Sequence, residues 1–193
     1  MAAQRADARR NYALLLTVAE RAIAEQGADA SLEQIARTAG VGSGTVRRHF
    51  PTRHALLAAV FRRQTEAMAD RAHEFAEAPD SRAALTRWLE AVLTFAVTTR
   101  GLAEALNRDR GAAPGEAHDY CATARLTEAG RPLVDRAAAD GALTPGVTIA
   151  DLLTLITGIA LATERDPDAA RRLLALTLTG VCQPTAWYGS RHS

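Results

Sequence analysis

The stretch Ser31–Phe61, SLEQIARTAGVGSGTVRRHFPTRHALLAAVF, decides the fold of this chain. Leu32, Ile35, Ala36 and Ala39 fall at i, i+3, i+4 and i+7, one apolar face of a short helix. Ser31 and Gln34 have the spacing of a capping box and predict where that helix begins. Gly40 supplies the positive φ that ends it, and Val41 is expected to turn inward as a plug between two helices. A second helix follows from about Ser43 to His49. Val46 and Phe50 would face the core, leaving Ser43, Thr45, Arg47, Arg48 and His49 outside. Two short helices joined by a glycine turn, with arginine on the outer face of the second, suit a DNA major groove. The alternative is a small helical subdomain whose arginines form a solvated face.

Ile35-Ala36, Ala39-Gly40-Val41, Gly44-Thr45, His49-Phe50, Arg53 and Leu56-Leu57 stand in a telling order and spacing. Through them the chain resembles TetR-type one-component transcriptional regulators, of actinobacterial kind, over about residues 9 to 61. The resemblance implies an all-α protein with an N-terminal three-helix helix-turn-helix head. A C-terminal helical body for effector binding and dimerisation would follow. The implied divisions are residues 1–54 for the head, 55–183 for the body and 184–193 for a flexible tail. DNA contacts then fall on Ser43, Gly44, Thr45, Arg47, Arg48 and His49, with Ser31, Thr52 and Arg53 anchoring phosphates. One position departs from the family: Arg47 stands where an aromatic, most often tyrosine, is usual. An arginine there binds either a phosphate or the O6 and N7 of guanine.

Composition agrees. Alanine and leucine dominate, aromatics are few and β-branched alternation is nearly absent, as in an all-α protein. The net charge of +1 hides an asymmetry: residues 1–63 carry ten arginines against five acids, and the remainder carries thirteen against seventeen. The basic excess sits on the expected DNA head. No apolar run has membrane length, and the polar, arginine-rich first ten residues do not read as a signal peptide. Cys121 and Cys182 form neither a disulfide framework nor a metal spacing, so cytoplasm is the expected compartment, with no cofactor.

Ahead of the motif, Arg9 to Gln26 reads as a helix with Leu15, Leu16, Ala19 and Ile23 inside and Gly27 as its stop. Arg5, Arg9 and Arg10 form a basic arm at its start, which either touches DNA, as the resemblance implies, or is a loose tail. Thr52 can cap a long helix running to about Ala76, whose first amides would face a phosphate. Leu56, Leu57, Val60 and Phe61 would lock it to the head, and Met68, Ala72 and Phe75 to the body. By resemblance this rod carries an effector signal to the DNA-reading helices. Pro79-Asp80-Ser81 opens a helix over Arg82–Arg100, with Leu85, Trp88, Leu89, Val92, Phe95 and Ala96 inward. Gly101 is expected to break it before a short piece, Leu102–Arg108, and a loop, Asp109–Ala117. A helix over His118–Ala139 should kink near Pro132, and Gly141–Gly146 is a turn.

The last two helices carry two apolar stripes: Ile149, Leu152, Leu153, Ile156 and Ala160, then Ala170, Leu173, Leu174, Thr177, Leu178 and Val181. Gly158 and Gly180 would permit close helix approach. By resemblance the stripes form a homodimer interface; the alternative is that they close the monomer core. A dimer would set two heads about one DNA turn apart, ~34–36 Å, over a palindromic operator. The family's effector pocket would draw on Trp88, Phe95, Asn107, His118, Tyr120, Cys121 and Arg125, which offer aromatic surface and hydrogen-bonding groups. A moderately hydrophobic small molecule fits such a lining.

An enzyme is not expected. His118, Asp119 and Cys121 lie together but lack a second ligand pair at metal spacing, and no phosphate loop, nucleophile elbow or HExxH occurs. The sequence therefore reads as a DNA-binding repressor released by a small-molecule effector. The alternative is a DNA-binding regulator without a ligand, controlled by a protein partner or constitutive.

Overall fold

The computed structural model describes residues 2–26, 30–110, 122–163 and 166–181, and all eight elements among them are α-helices. In chain order they are α1 (Ala2–Gln26), α2 (Leu32–Thr38), α3 (Ser43–His49), α4 (Arg53–Ala76), α5 (Ser81–Arg110), α6 (Ala122–Ala139), α7 (Ile149–Ala162) and α8 (Pro167–Val181). The described residues within Met1–Gln64 and Thr99–Tyr120 form one compact unit, and those within Thr65–Thr98 and Cys121–Ser193 form another.

The first unit closes on Leu15, Leu16 and Ala19 of α1, Ile35 and Ala36 of α2, Val46 and Phe50 of the α3 region, and Leu56, Leu57 and Val60 of α4. These are the residues that helical spacing places inward. Thr52 caps α4 as expected: its Oγ1 accepts the Ala55 amide at 3.0 Å. Arg63 ties α4 to α1, donating to the Ala13 carbonyl (3.3 Å) and the Thr17 hydroxyl (3.2 Å) and lying 3.4 Å from Glu20. Burial pushes the Glu20 carboxyl above its ordinary range, and the Arg63 charge partly offsets this.

Three expectations are corrected in this unit. Arg5, Arg9 and Arg10 are not a loose tail ahead of the first helix but part of it, because α1 begins at Ala2. The alanines among the first eight residues favour helix and nothing there breaks it; Arg10 pairs with Asp7 one turn earlier. The Ser31 capping box is absent. Ser31 is the N-cap residue, with extended backbone at φ −79 and ψ 129, yet its side chain makes no cap hydrogen bond. The helix starts on backbone geometry, with the Ile35 amide donating to the Ser31 carbonyl at 3.0 Å. Finally, α5 does not break at Gly101 but continues through Leu102–Arg108 to Arg110. A lone glycine costs only about 1 kcal/mol, too little to end a long helix without further breakers. The rest of the expected loop, from Gly111 to Ala117, lies outside the described residues, as do Gly27 and the tail from Gln183.

The core of the second unit gathers Ala69 and Ala72 of α4, Leu85, Trp88, Leu89, Val92 and Leu93 of α5, and the inner faces of α6, α7 and α8. Trp88 is its largest member and has no exposed surface. Its indole N–H donates to the Met68 carbonyl at 3.0 Å, so the buried polar atom is satisfied. Gly130 of α6 makes this possible: a Cβ there would lie 2.3 Å and 2.5 Å from two Trp88 ring atoms. The helix continues through Pro132. Gly141, at φ 70, ends α6 in a Schellman motif, with Gly141 donating to Ala138 (3.0 Å) and Ala142 to Ala137 (2.8 Å). Arg136 donates to the Ala76 and Ala78 carbonyls and so satisfies the end of α4. The α7 start carries a true capping box. Thr148 Oγ1 accepts the Asp151 amide (3.2 Å), and the Asp151 carboxylate accepts the Thr148 amide (2.9 Å).

The stripes of the last two helices need the main correction. Ile149, Leu152, Leu153, Ile156 and Ala160 are all buried within the single chain, as are Ala170, Leu174 and Leu178. They close the monomer core. Leu173 of the second stripe is instead exposed (40%), as is Leu176 (71%) beside it on α8, and on α7 Leu155 (40%) and Leu161 (54%) are exposed. Gly158 and Gly180 share this outward side, where an added Cβ would meet open space.

Candidate nucleic-acid interface

The turn between α2 and α3 is a complete Schellman motif. The Gly40 amide donates to the Arg37 carbonyl (3.1 Å) and the Val41 amide to the Ala36 carbonyl (3.0 Å), with Gly40 at φ 66. Val41, half-buried, packs against the first core as expected of a plug. This junction fixes how α3 leaves the core. Val46 and Phe50 anchor α3, at 1% and 2% exposure.

At 100° per residue, α3 then has three sides besides its buried one. Gly44 and Arg48 stand farthest out, both exposed. Ser43 and Arg47 lie on one flank, also exposed, and Thr45 and His49 on the other, half-buried. The expectation that all five polar side chains are outward is thus only partly met. His49 is held by a small aromatic cluster. Tyr12 of α1 meets the His49 ring edge-on at 5.8 Å and stacks on Phe50 at 5.2 Å between centroids. Tyr12 was not among the residues expected near the interface. Its partners lie thirty-seven and thirty-eight positions away in sequence, so only the folded chain brings them together.

On the Ser43–Arg47 flank lies a cleft of about 420 Å³ lined by Ala30, Ser31, Leu32, Glu33, Ser43, Val46, Arg47 and Arg53. Four of the nine expected DNA-contact residues therefore converge: Ser31 before α2, Ser43 and Arg47 on α3, and Arg53 at the start of α4. Two arginines and one glutamate line it, an electropositive concavity on a basic head. Glu33 is the member that residue patterns did not single out. Gly44 and Arg48 lie outside the cleft on the outermost side, and Thr52 serves as the α4 cap.

Of the expected effector residues, the side chains of Trp88, Phe95 and Arg125 are described. Trp88 lies in the core of the second unit with no exposed surface. Phe95 is half-buried on α5. Arg125 is engaged by Glu66 at 2.9 Å and by Glu128 at 3.6 Å. Asn107 falls within α5, and His118, Tyr120 and Cys121 lie outside the described residues. Among the described residues no group of three or more His, Cys, Asp or Glu is placed to hold a metal ion, and no helix is long and apolar enough to cross a membrane.

Residues 15–60 match bacterial regulatory proteins of the TetR family, and residues 80–183 match the C-terminal domain of SbtR-like transcriptional regulators. The second match alone spans more than half of the chain. This chain belongs to the TetR family. TetR-family regulators are DNA-binding transcription factors, in general without catalytic activity, and homodimers that respond to ligands are typical among them.

Solved structures agree with this assignment. The regulator is similar to a TetR transcriptional regulator from Streptomyces coelicolor: 37% identity over 91% of this chain and 99% of that one, TM-score 0.74. It is also similar to a TetR transcription regulatory protein from Mycobacterium vanbaalenii: 30% identity over 93% and 99%, TM-score 0.70. The ketosteroid transcriptional regulator of Mycobacterium tuberculosis shares the fold, at 15% identity over 90% and 95% and TM-score 0.60. None of the curated proteins matches the chain.

Proposed function

We propose that this TetR-family regulator is a cytoplasmic, homodimeric repressor that binds a palindromic operator and leaves it when a small molecule binds. The observation that carries the DNA-binding geometry is the convergence of Ser31, Ser43, Arg47 and Arg53 on one cleft beside the exposed ridge of Gly44 and Arg48. Residues on three helices or their caps reach one surface, the arrangement a duplex needs for simultaneous groove and backbone contact.

The second copy would seat on the outward side of α7 and α8, away from the buried residues of the two stripes. Leu155, Leu173 and Leu176 are exposed there, and Gly158 and Gly180 leave room for a neighbouring helix. An apolar surface of this kind favours association with its own twofold copy. Effector candidates are Phe95, Asn107, His118, Tyr120, Cys121 and Arg125. A ligand meeting Arg125 has to displace or share Glu66 and Glu128.

The test is selection of bound sequences from a random DNA library by the purified chain at fixed salt. An enriched palindrome supports a sequence-reading dimer, and compounds that abolish its binding then identify the effector class. Binding that is salt-sensitive but without sequence enrichment refutes operator recognition. An operator complex that no small molecule releases refutes effector control.

A further inference from the structure

The cleft beside α3 contains one residue that works against general affinity for DNA. Glu33 is exposed in the first turn of α2 and shares the cleft with Arg47 and Arg53. A carboxylate there repels phosphates within about 8–10 Å, the screening length at ordinary salt. Its ordinary structural use is support of the α2 macrodipole, worth only ~0.3–1 kcal/mol at an exposed site. An acid at a surface meant for a polyanion has another use in discrimination, where a like charge penalises partners that offer it no hydrogen-bond donor.

Donor and acceptor chemistry says which base pair compensates that penalty. An ionised carboxylate only accepts hydrogen bonds, and a guanidinium only donates them. In the major groove the amino groups are cytosine N4 and adenine N6, while guanine alone presents two adjacent acceptors, O6 and N7. A guanine–cytosine pair thus satisfies both side chains from one cleft. Arg47 takes guanine and Glu33 takes the cytosine amino group. An adenine–thymine pair has its two acceptors, adenine N7 and thymine O4, on either side of the adenine amino group. The Arg47 fork therefore reaches only one of them beside a Glu33–adenine contact.

Resting on the DNA-binding reading above, we propose that Glu33 is a specificity-determining residue. Together with Arg47 it selects a G·C pair, while Arg53 and Ser31 hold the backbone. Glu33 lowers affinity for unrelated DNA and raises discrimination, so its removal moves the two quantities in opposite directions. A purely structural acid does not do this.

The experiment compares the wild-type chain, Glu33→Ala, Glu33→Gln and Arg47→Ala by random-library selection and by titration of a scrambled duplex. Thermal melting establishes that each variant is folded. Glu33→Ala is expected to lose about fivefold or more of the preference for G·C at one position per half-site and to bind the scrambled duplex more tightly. Glu33→Gln should shift that position towards A·T, because a glutamine amide pairs with adenine N6 and N7. Arg47→Ala should relax the same position. Unchanged preferences in folded Glu33 variants, with wild type still enriching an operator, overturn the role of Glu33 and leave the DNA-binding reading standing. Relaxation at a position different from that of Arg47→Ala overturns the pairing of the two side chains. Failure of the wild type to enrich any sequence overturns both readings.

Discussion

Gly130→Ala isolates one packing decision in the second unit. Gly130 lies in the middle of α6, where alanine would ordinarily stabilise a helix by about 0.5–1 kcal/mol. Here the new methyl would sit 2.3 Å and 2.5 Å from Trp88 ring atoms and 2.8 Å from Ile149 Cδ1. Trp88 has no room to withdraw: it is fully buried, and its N–H is bonded to the Met68 carbonyl. Overpacking of a dense core costs typically 1–3 kcal/mol, and contacts this short belong at the upper end. After the helix gain is offset, the net loss should be about 2 kcal/mol. For a chain of 150–250 residues each kcal/mol lowers the melting temperature by roughly 2–4 °C, so a drop of about 4–8 °C is expected.

The assay is thermal unfolding followed by circular dichroism at one fixed protein concentration, because association of copies would itself raise the midpoint. The same change in a Trp88→Phe background provides the internal control. Phenylalanine lacks the ring atoms nearest the new methyl, so Gly130→Ala should cost at least about 1 kcal/mol less there, a coupling typical of residues in contact. A midpoint within about a degree of wild type, or no coupling to Trp88, would refute the close approach of α6 to α5.

Leu176→Asp tests the outward face. Full burial of a leucine is worth ~1.5–3 kcal/mol, and 71% of this side chain's surface is available. Its loss from both copies should weaken dimerisation by about 30- to 1000-fold; an unchanged dissociation constant in sedimentation equilibrium counts against this interface. Arg53→Ala should weaken all DNA sequences alike and make the slope of log affinity against log salt shallower by about 0.9. Titration at several salt concentrations checks this, and an unaltered slope removes Arg53 from the phosphate contacts. The Asp151 carboxyl is held below its ordinary value of 3.8 by the Thr148 hydroxyl and amide. A depressed acid stabilises the fold above its unfolded value and loses that contribution as pH falls through the folded one. The melting temperature should therefore fall below about pH 4, less steeply in Asp151→Asn; identical pH profiles would dissociate the capping box from stability.

What the chain determines by sequence alone is local. The glycine turn at Gly40, the extent of α3 and the Thr52 cap depend on residues no more than five apart, whose backbone geometry and hydrogen bonds are set within one or two turns. The inward residues of the head follow equally from helical spacing, because each short helix there has a single apolar side. The α7 and α8 helices have two. Leu152 and Ile156 face the core, and Leu155 and Leu161 face outward, yet all four are alike as side chains. Periodicity finds an apolar face without saying whether the same chain or another copy covers it. Only the tertiary arrangement separates them, by filling one side with α5 and α6 and leaving the other open. The same holds for the cleft: Ser31, Glu33, Arg47 and Arg53 share a surface only because the Schellman turn and the common core bring three helices together. Local hydrogen bonding determined the elements of this protein; long-range exclusion of water determined which of their faces remain for DNA and for a partner.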